Sequence, residues 1–377
     1  MKIGVVIDRF DPSKGGAERA LADLVRAAVA AKHDVAVFAM SAADGAPGRF
    51  VRVTVPPSPR GLRDTAFAKR AVAAARRDGC DVVLGVRHVT GVDVYWPHGG
   101  VHAETLAAVE RSKGRVGGAV SRVLHRASPK QRALLALERR FFDDPRDARI
   151  WCVSDLVRRE IVARWPDVAT LVELHPNGVD VDAFHPRLRD EHRARVRREL
   201  KVDDDTPLVL FLGGAWRLKG WPVLLAALTG ISDEKWMCVA AGARHESAAR
   251  SVARARLSKR VRVLPQTDSR TLYAAADLFV QPTWRDPCSL ATCEALACGV
   301  PVVTTDANGA ADAFADLPAA GDVVPAGDVD ALARAIVRRL TVLREPNAAA
   351  RRTAERRRKD EWIGGLLRSL ERASTSR

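Results

Sequence analysis

Short apolar runs alternate along the chain with longer segments in which apolar residues recur every three or four positions. The short runs predict buried strands of parallel sheets, and the longer segments predict helices that cover them. Strands are expected at 2–8, 34–39, 51–55, 81–85, 92–95, 150–154, 208–212, 239–242, 261–264, 278–280 and 300–304, and helices at 64–77, 155–164, 222–228 and 328–340. This alternation is typical of α/β folds. At 377 residues the chain is long enough for two such halves, each with its own core.

The stretch from 278 to 304 predicts one complete strand–helix–strand unit. Its first strand breaks at Pro282, and a helix follows from Pro287 to Gly299 before the second strand begins. In a parallel unit the turn before the helix lies at the carboxyl edge of the sheet, where open α/β sheets bind ligands. The first amides of a helix have no partner inside it and favour an anion. The amides that would form this anion pocket belong to Cys288, Ser289 and Leu290.

Two acids frame the predicted pocket, Asp286 before the helix and Glu294 eight residues later. Alone, each acid is more typical of an ordinary helix, whose first turn favours negative charge. Together with Pro287 between them and the following string ALACGVPVV, the pair resembles the E-x7-E signature of the retaining glycosyltransferases of family 4. In this chain Asp286 stands in place of the first Glu of that signature.

Further segments resemble the same family. The string PNGVD at 176–180 is similar to the segment that ends the family's first domain. The string GVDVY at 91–95 resembles the lipopolysaccharide core glucosyltransferases, which carry an Ala-Asp pair where this chain has His98 and Gly99. Because His98 follows a predicted strand, we expect it to help position the substrate, and a structural histidine is an equal alternative.

A glycine pair, Gly15 and Gly16, stands between the first predicted strand and its helix. The loop contains neither a dinucleotide fingerprint nor a P-loop. Two adjacent glycines at a helix start nevertheless let a phosphate approach the backbone. The position resembles the glycine loop of the family, which implies a part in donor binding.

The second half carries two cations, Arg217 and Lys219, in the loop after the strand at 208–212. Such a pair is suited to neutralise a diphosphate, and exposed surface cations are the ordinary alternative. Lys219 is similar to the family's lysine in this loop. The resemblance also implies that the ends of two neighbouring strands flank the nucleotide base, through Arg244, Pro265 and Gln266.

The resemblance covers nearly the whole chain and implies an α/β GT-B fold, in which two Rossmann-like, doubly wound domains face a central cleft. An acceptor-binding domain is expected at 1–185 and a nucleotide-sugar-binding domain at 186–350. A C-terminal helix at 351–377 is expected to pack back on the first domain.

The reaction implied by the resemblance is retaining transfer of a hexose, with glucose as the first choice, from a UDP-sugar to a glycan or glycolipid such as a lipopolysaccharide core. Glu294 would hold the ribose, because a carboxylate accepts two hydrogen bonds from a vicinal diol. Arg217 and Lys219, with the helix amides, would stabilise the leaving diphosphate, while Asp286 and His98 would position the sugar. No metal ion and no cofactor beyond the donor substrate is expected.

The chain is strongly basic, with a net charge of +15, which favours phosphorylated ligands, an anionic membrane surface or nucleic acid. Aromatic residues make up 5% of the chain and no basic run is interleaved with them, so nucleic acid is the weaker choice. Residues 110–140 carry nine Lys or Arg against two acids, together with apolar stripes. They predict either a helix on an anionic membrane surface or one with its apolar face in the core.

The six cysteines form no CxxC pair, and no segment has the length and apolarity of a signal peptide or a membrane span. We therefore expect reduced thiols and a cytoplasmic location, at most peripheral on the inner face of the membrane. Two alternatives stay open. One is a sugar-nucleotide epimerase or phosphorylase with the same fold, and the other is a non-catalytic basic adaptor for membrane or nucleic acid.

Overall fold

Two parallel β-sheets carry the fold of the computed structural model, which describes residues 1–13, 15–57, 60–231, 235–243, 245–341 and 346–375. The chain divides into two compact units. Unit 1 comprises residues 1–177 and 360–377, and unit 2 comprises residues 178–359.

Unit 1 contains nine strands and the first six helices among its described residues. The strands are β1 (Lys2–Val6), β2 (Arg9–Phe10), β3 (Asp34–Ala39), β4 (Ser41–Ala42), β5 (Arg49–Arg52), β6 (Val82–Val86), β7 (Val94–Trp96), β8 (Arg149–Cys152) and β9 (Val172–Leu174). The helices are α1 (Gly16–Ala30), α2 (Arg60–Arg77), α3 (His102–Arg111), α4 (Gly114–Ala127), α5 (Pro129–Asp143) and α6 (Asp155–Arg164), followed by a 3-10 helix at Pro166–Leu171. Seven strands form one parallel sheet in the order β5-β3-β1-β6-β7-β8-β9, while β2 and β4 pair separately.

The described residues of unit 2 form six strands: β10 (Leu208–Leu212), β11 (Met237–Ala241), β12 (Val261–Leu264), β13 (Leu278–Gln281), β14 (Val302–Thr305) and β15 (Gly321–Val324). Its helices are α7 (Leu188–Glu199), α8 (Trp221–Thr229), α9 (His245–Arg254), α10 (Ser269–Ala275), α11 (Leu290–Ala297), α12 (Val329–Leu340) and α13 (Ala348–Glu355), with a 3-10 helix at Gly309–Ala313. The strand order is β12-β11-β10-β13-β14-β15, and every pairing is parallel.

Both strand orders reverse direction once, between β1 and β6 in unit 1 and between β10 and β13 in unit 2. The central strands are apolar because they are buried on both faces; β10 reads LVLFL and lies almost wholly in the core. The prediction of two doubly wound, Rossmann-like α/β halves is confirmed. At each reversal the loops after the two strands part to opposite faces and leave a crevice, which is where such sheets bind ligands.

The division between the units lies at 177/178 and 359/360, whereas the sequence predicted 185/186 and 350/351. Val179 forms a β-bridge with Arg358. Arg351 on α13 donates hydrogen bonds to the carbonyl oxygens of Val181 and Phe184, each at 3.0 Å. These bonds attach residues 178–186 to α13, so that this segment folds with unit 2.

The predicted C-terminal helix is two helices in the structure. The first, α13, belongs to unit 2, and the second, α14 (Lys359–Thr375), runs through the segment that belongs to unit 1. The indole of Trp151 donates to Ser369 on α14 at 2.9 Å, and the Ser369 hydroxyl donates to Glu173 on β9 at 2.6 Å. Leu366 and Leu370 of α14 are buried. Only α14 therefore packs on unit 1.

Candidate functional site

The loop from 213 to 220, between β10 and α8, is held at both ends by buried aromatic side chains. The rings of Trp216 and Trp221 pack against Phe211 of β10, with ring centroids 5.2–5.5 Å apart. This trio forms part of the core of unit 2. Lys219 lies between the two tryptophans and is consequently carried on a firmly packed segment.

The same loop touches the turn that follows β13. Gly220 has a φ of +82°, and a Cβ at this position would lie 1.8 Å from the carbonyl oxygen of Pro282. Only glycine permits this approach. The amide of Trp284 and the hydroxyl of Thr283 both donate to the carbonyl oxygen of Leu218, at 2.8 and 3.0 Å. The loops after β10 and β13 thus meet at the strand reversal of unit 2.

Lys219 and Asp286 form an ion pair across these two loops. The backbone of Asp286 is held by bonds from its own amide to Ala307 and from the Gly309 amide, both at 2.9 Å, and its side chain is buried. The structure thereby joins a residue predicted to bind phosphate to one predicted to position the sugar. Arg217 lies on the same loop with an exposed side chain.

Helix α11 begins later than predicted, at Leu290, with Ser289 as its N-cap. The Ser289 hydroxyl accepts from the Thr292 amide at 3.3 Å, and the Ser289 amide donates to the Asn308 side chain at 3.4 Å. In this structure the Ser289 amide therefore has a side-chain acceptor, and its predicted contact with an anion stays a prediction. Within the described part of the chain, the amides of Leu290 and Ala291 are not engaged, and both residues are half-buried.

Cys288 and Cys293 occupy the two positions, before the N-cap and in the second turn, whose side chains meet at a helix start. Both thiols are buried. A hydrogen bond with Cys288 lowers the pKa of Cys293, against the opposing effect of burial. The side chain of Cys288 therefore packs at the beginning of α11.

Glu294 lies inside α11 and is 8% exposed. The hydroxyl of Tyr273, on α10, donates to its Oε2 at 3.2 Å and to the carbonyl oxygen of Ala291 at 2.8 Å. Burial, together with the nearby Glu294 carboxylate, raises the pKa of Tyr273 well above its usual value, which keeps the phenol a donor. The Glu294 carboxylate is thus oriented close to the amide end of α11.

The residues predicted to flank a base lie along the same edge of unit 2. Pro265 and Gln266 are exposed directly after β12. Gly242, after β11, approaches the β10 loop so closely that a Cβ would lie 2.1 Å from the carbonyl oxygen of Gly213. Arg244 lies outside the described residues. The carboxyl ends of β10, β12 and β13 therefore carry the described residues that were predicted to bind the donor in unit 2.

In unit 1 the glycine pair lies where predicted, with Gly15 just before α1 and Gly16 as its first residue. Glu18, in the first turn, forms an ion pair with Arg87 at 2.5 Å, and Asp8 lies 3.9 Å from the same guanidinium. Arg87 follows β6 with a φ of +70°. Asp8 and Arg87 were not among the predicted site residues. Both come directly after buried strand residues, and this position is the signal in the sequence that points to them.

His98 follows β7 and is 8% exposed, with its ring 4.9 Å from that of Trp96. His88, which the sequence did not single out, lies nearby in chain order after β6. Burial lowers the pKa of His88 to about 3, so this imidazole is neutral at physiological pH. Its ring packs edge-on against His102, which bonds Gln131 at 2.7 Å. The carboxyl edge of unit 1 therefore carries histidines as well as charges.

Most of the basic segment at 110–140 lies on two helices, α4 and α5, which have different surfaces. On α5 the apolar residues enter the core, including Leu134, Leu137, Phe141 and Phe142. On α4 they face solvent, with exposed fractions of 80% at Val116, 56% at Val120, 66% at Val123 and 62% at Leu124. These four positions, which we call the α4 ridge, lie 4, 7 and 8 residues after the first of them, Val116, and so share one face. The core interpretation is correct for α5 and wrong for α4.

Among the described residues, His, Cys, Asp and Glu side chains form no group of three or more that could hold a metal ion. In the same part of the chain, none of the helices combines the length and the apolarity needed to cross a membrane. A cavity of about 580 Å³ opens in unit 1 at the amino ends of β7 and β8. The predicted site residues lie at the opposite, carboxyl edge of the same sheet. Two ion pairs line the cavity, Arg76 with Asp93 and Arg149 with Glu173.

The fold and the arrangement of loops define the class. Two doubly wound parallel sheets in one chain, with phosphate-suited loops at a strand reversal, are the architecture of GT-B glycosyltransferases. Residues 14–183 match the family model described as Glycosyltransferase Family 4, and residues 206–341 match the one described as Glycosyl transferases group 1. The chain belongs to the family 4 glycosyltransferases, as the resemblance predicted.

Two relatives share part of the sequence. The D-inositol 3-phosphate glycosyltransferase of Mycolicibacterium smegmatis is 32% identical over 212 residues, which cover 53% of this chain and 47% of the relative. The protein of the same name from Xylanimonas cellulosilytica is 35% identical over 153 residues, or 37% of either chain. The matched part thus spans less than half of the length of each relative.

Solved structures share the fold over almost the whole chain. WaaG, a glycosyltransferase involved in lipopolysaccharide biosynthesis, superposes with a TM-score of 0.81 at 20% identity and covers 98% of this chain and 99% of its own. Anabaena Alr3699/HepE in complex with UDP-glucose gives a TM-score of 0.71 at 18% identity, with coverage of 98% and 99%. At these identities the likeness concerns the fold.

Proposed function

We propose that the protein is a retaining, metal-independent glycosyltransferase that transfers a hexose, with glucose as the first choice, from a UDP-sugar to a glycan or glycolipid acceptor. The observation that carries this proposal is local to unit 2. Lys219, the unengaged amides of Leu290 and Ala291, and the carboxylate of Glu294 lie together at the strand reversal. A cation and helix amides suit a diphosphate, and a carboxylate suits the ribose diol.

In the proposed reaction the bond between the sugar's anomeric carbon and the diphosphate oxygen breaks while the acceptor hydroxyl bonds to the same face of that carbon. The electron pair leaves with the diphosphate, and the acceptor's proton passes to a phosphate oxygen. Preorganised donors aimed at the growing charge stabilise such a departure. Lys219, Arg217 and the two amides would stabilise this growing negative charge. This is our reason for proposing that no metal ion is needed.

The remaining predicted residues take supporting parts in this proposal. The donor phosphate competes with Asp286 for Lys219, which leaves the Asp286 carboxylate for a sugar hydroxyl. His98 would assist on the acceptor side, and Gly15 and Gly16 would allow close approach of the donor. Pro265 and Gln266, exposed after β12, would flank the uracil.

A donor panel tests the activity. UDP-, GDP- and ADP-hexoses are incubated with glycan and glycolipid acceptors, and nucleoside diphosphate release is measured together with the product mass. We expect UDP release coupled to a glycoside whose anomeric configuration, read by proton NMR, equals that of the donor. An isomerised donor would indicate an epimerase, and a sugar phosphate would indicate a phosphorylase. Full activity of Glu294→Ala would refute the site assignment.

The acceptor is proposed to be membrane-bound, at the inner face of the cytoplasmic membrane. The α4 ridge supports this, because four exposed apolar side chains are flanked by Arg115, Arg122 and Arg126, a combination that favours an anionic lipid surface. A soluble polyol phosphate is the second candidate acceptor, since the relatives are named for inositol 3-phosphate.

Vesicle sedimentation tests the membrane part. We expect binding to vesicles of phosphatidylglycerol and phosphatidylcholine, and a loss of at least tenfold in the variant Val116→Ser/Val120→Ser/Val123→Ser. The matched control is Val29→Ser, an exposed valine on α1 that is 46% exposed. Equal binding of the triple variant and the control would contradict a membrane role of the ridge.

A further inference from the structure

The side chain of Gln281 connects the two halves of the proposed phosphate site. Gln281 is the last residue of β13 and is 1% exposed. Its Nε2 donates to the carbonyl oxygen of Leu212, the last residue of β10, at 3.1 Å. Its Oε1 accepts from the hydroxyl of Ser289, the N-cap of α11, at 2.6 Å. One amide group thus spans from the strand that leads into the Lys219 loop to the helix whose amides face the same site.

This connection fills a gap in the backbone pairing. The ladder between β10 and β13 pairs Val209 with Leu278 and Leu210 with Phe279, and it stops before Leu212. Beyond that point the strands lead into loops that part at the reversal. Because the backbone no longer links the two strand ends, the Gln281 side chain is the direct hydrogen-bonded link that the structure provides between Leu212 and Ser289.

A second buried amide, Asn308, completes the support under α11. It is 1% exposed, and its Oδ1 accepts from the amides of Ser289 at 3.4 Å and Ala310 at 3.0 Å. Its Nδ2 donates to the hydroxyls of Thr292 and Thr304 at 3.0 and 2.9 Å. Buried polar networks of this kind hold their members in one arrangement. Asn308 thus binds the Ser289 amide and the Thr292 hydroxyl. The amides of Leu290 and Ala291 are the ones available to a ligand.

We infer that Gln281 is a positioning residue that sets the spacing between the Lys219 loop and the amide end of α11, and so selects a diphosphate over a monophosphate. This rests on the proposed function of the same site. A diphosphate can reach both partners at once, whereas a single phosphate engages one of them. Loosening the link therefore weakens diphosphate binding more than monophosphate binding.

The test compares binding of UDP and UMP by isothermal titration calorimetry in the full chain. Gln281→Leu removes both hydrogen bonds of the link without adding charge, and Ser289→Ala removes the link from the α11 side. In both variants we expect UDP affinity to fall at least tenfold and UMP affinity to change less than threefold. Thr353→Val is the matched control, because it removes one buried hydroxyl bond in α13, to Ala349 at 3.0 Å, away from these loops.

Equal losses for UDP and UMP in the two variants, or no loss in either, would overturn the positioning role while leaving the proposed function intact. A wild-type protein that binds neither nucleotide would instead overturn the proposed function. The two substitutions lie on different elements, so if one variant fails to fold the other still tests the inference. A change in the ratio of UDP affinity to UMP affinity in Thr353→Val would also count against the inference.

Discussion

At the scale of single residues, the site of unit 2 is defined by pairs that a sequence pattern does not reveal. The sequence nominated Lys219 and Asp286 for different parts of the donor, and the structure joins them in one ion pair. It also predicted an anion at the Ser289 amide, and the structure places the Asn308 side chain 3.4 Å from that amide. The reason is distance along the chain, since 67 residues separate the first pair and 19 the second.

Lys219→Met is expected to lower turnover about 100- to 1,000-fold, the range for loss of one preorganised donor. It also leaves the buried Asp286 without its cation and so lowers the melting temperature. The double variant Lys219→Met/Asp286→Asn is expected to regain stability but not turnover. Circular dichroism and a UDP-release assay measure the two effects.

Lys235→Met is the control for that series, because Lys235 is 57% exposed and pairs with the exposed Asp205. This substitution is expected to change neither the turnover nor the melting temperature. Recovery of turnover in the double variant would contradict a role of Lys219 with the diphosphate.

At the scale of elements, two attachments by charged side chains hold helices in place. In unit 2, Arg193 and Arg197 of α7 converge on Asp277, which follows α10, at 2.7 and 3.2 Å. Arg197 is 1% exposed, and burial lowers its pKa although Asp277 opposes this. In unit 1, Glu173 of β9 binds Ser369 of α14. Both are long-range contacts, so amphipathic patterns predicted the helices but not these partners.

Asp277→Asn is expected to destabilise the protein by about 3–5 kcal/mol, the cost of leaving a buried charge such as Arg197 without its partner. Asp204→Asn is the matched control, since Asp204 contacts the same guanidinium at 3.7 Å but is 87% exposed. Its effect is expected to stay within about 0.5 kcal/mol. Urea unfolding followed by tryptophan fluorescence compares them, and equal losses would argue against the buried pair.

The attachment of α14 is expected to depend on pH. Burial raises the pKa of Glu173, but hydrogen bonds from Ser369, His175 and Arg149 outweigh it and lower the pKa to about 2. A carboxyl group with a lowered pKa stabilises the fold above its ordinary value near 4.5, and this stabilisation is lost as the pH falls toward 2. The difference in melting temperature between wild type and Glu173→Gln should therefore shrink over that interval.

Thermal unfolding at pH 7, 5, 4 and 3 measures this difference. Glu361→Gln, which alters an exposed acid in the first turn of the same helix, serves as the control with a constant difference. A constant difference for Glu173→Gln as well would show that its hydrogen bonds do not carry the attachment.

At the scale of the whole molecule, each unit has its own parallel sheet with one strand reversal. The donor site proposed above consists mainly of residues of unit 2. A ligand stabilises the unit that binds it, by about 2.7 kcal/mol at one hundred times its dissociation constant. The two units should therefore respond differently to a nucleotide.

Hydrogen exchange read by mass spectrometry tests this difference. With saturating UDP, we expect slower exchange in β10 and β13 of unit 2, while the core strands β1 and β6 of unit 1 keep their rates. UMP at the same fractional saturation is expected to slow the same strands in unit 2. Slower exchange confined to unit 1 would contradict the assignment of the donor site.

The sequence by itself determined the alternation of strands and helices. A parallel strand that is buried on both faces needs a continuous apolar run, whereas a helix that covers the sheet needs apolar residues with a period of 3.6. The sequence predicted α6 with its observed ends, since Ser154 caps the helix at a position that propensity and spacing reveal. The motif around Asp286 and Glu294 also identified the family.

Only the tertiary structure decided which side chains meet. Gln281, Asn308 and Arg87 acquire their parts from neighbours on other strands, and the α4 ridge is known to be exposed only once the packing of α3 and α5 is known. The physical reason is that periodicity encodes which face of an element is buried, whereas hydrogen bonds and ion pairs depend on how elements distant in sequence are brought together.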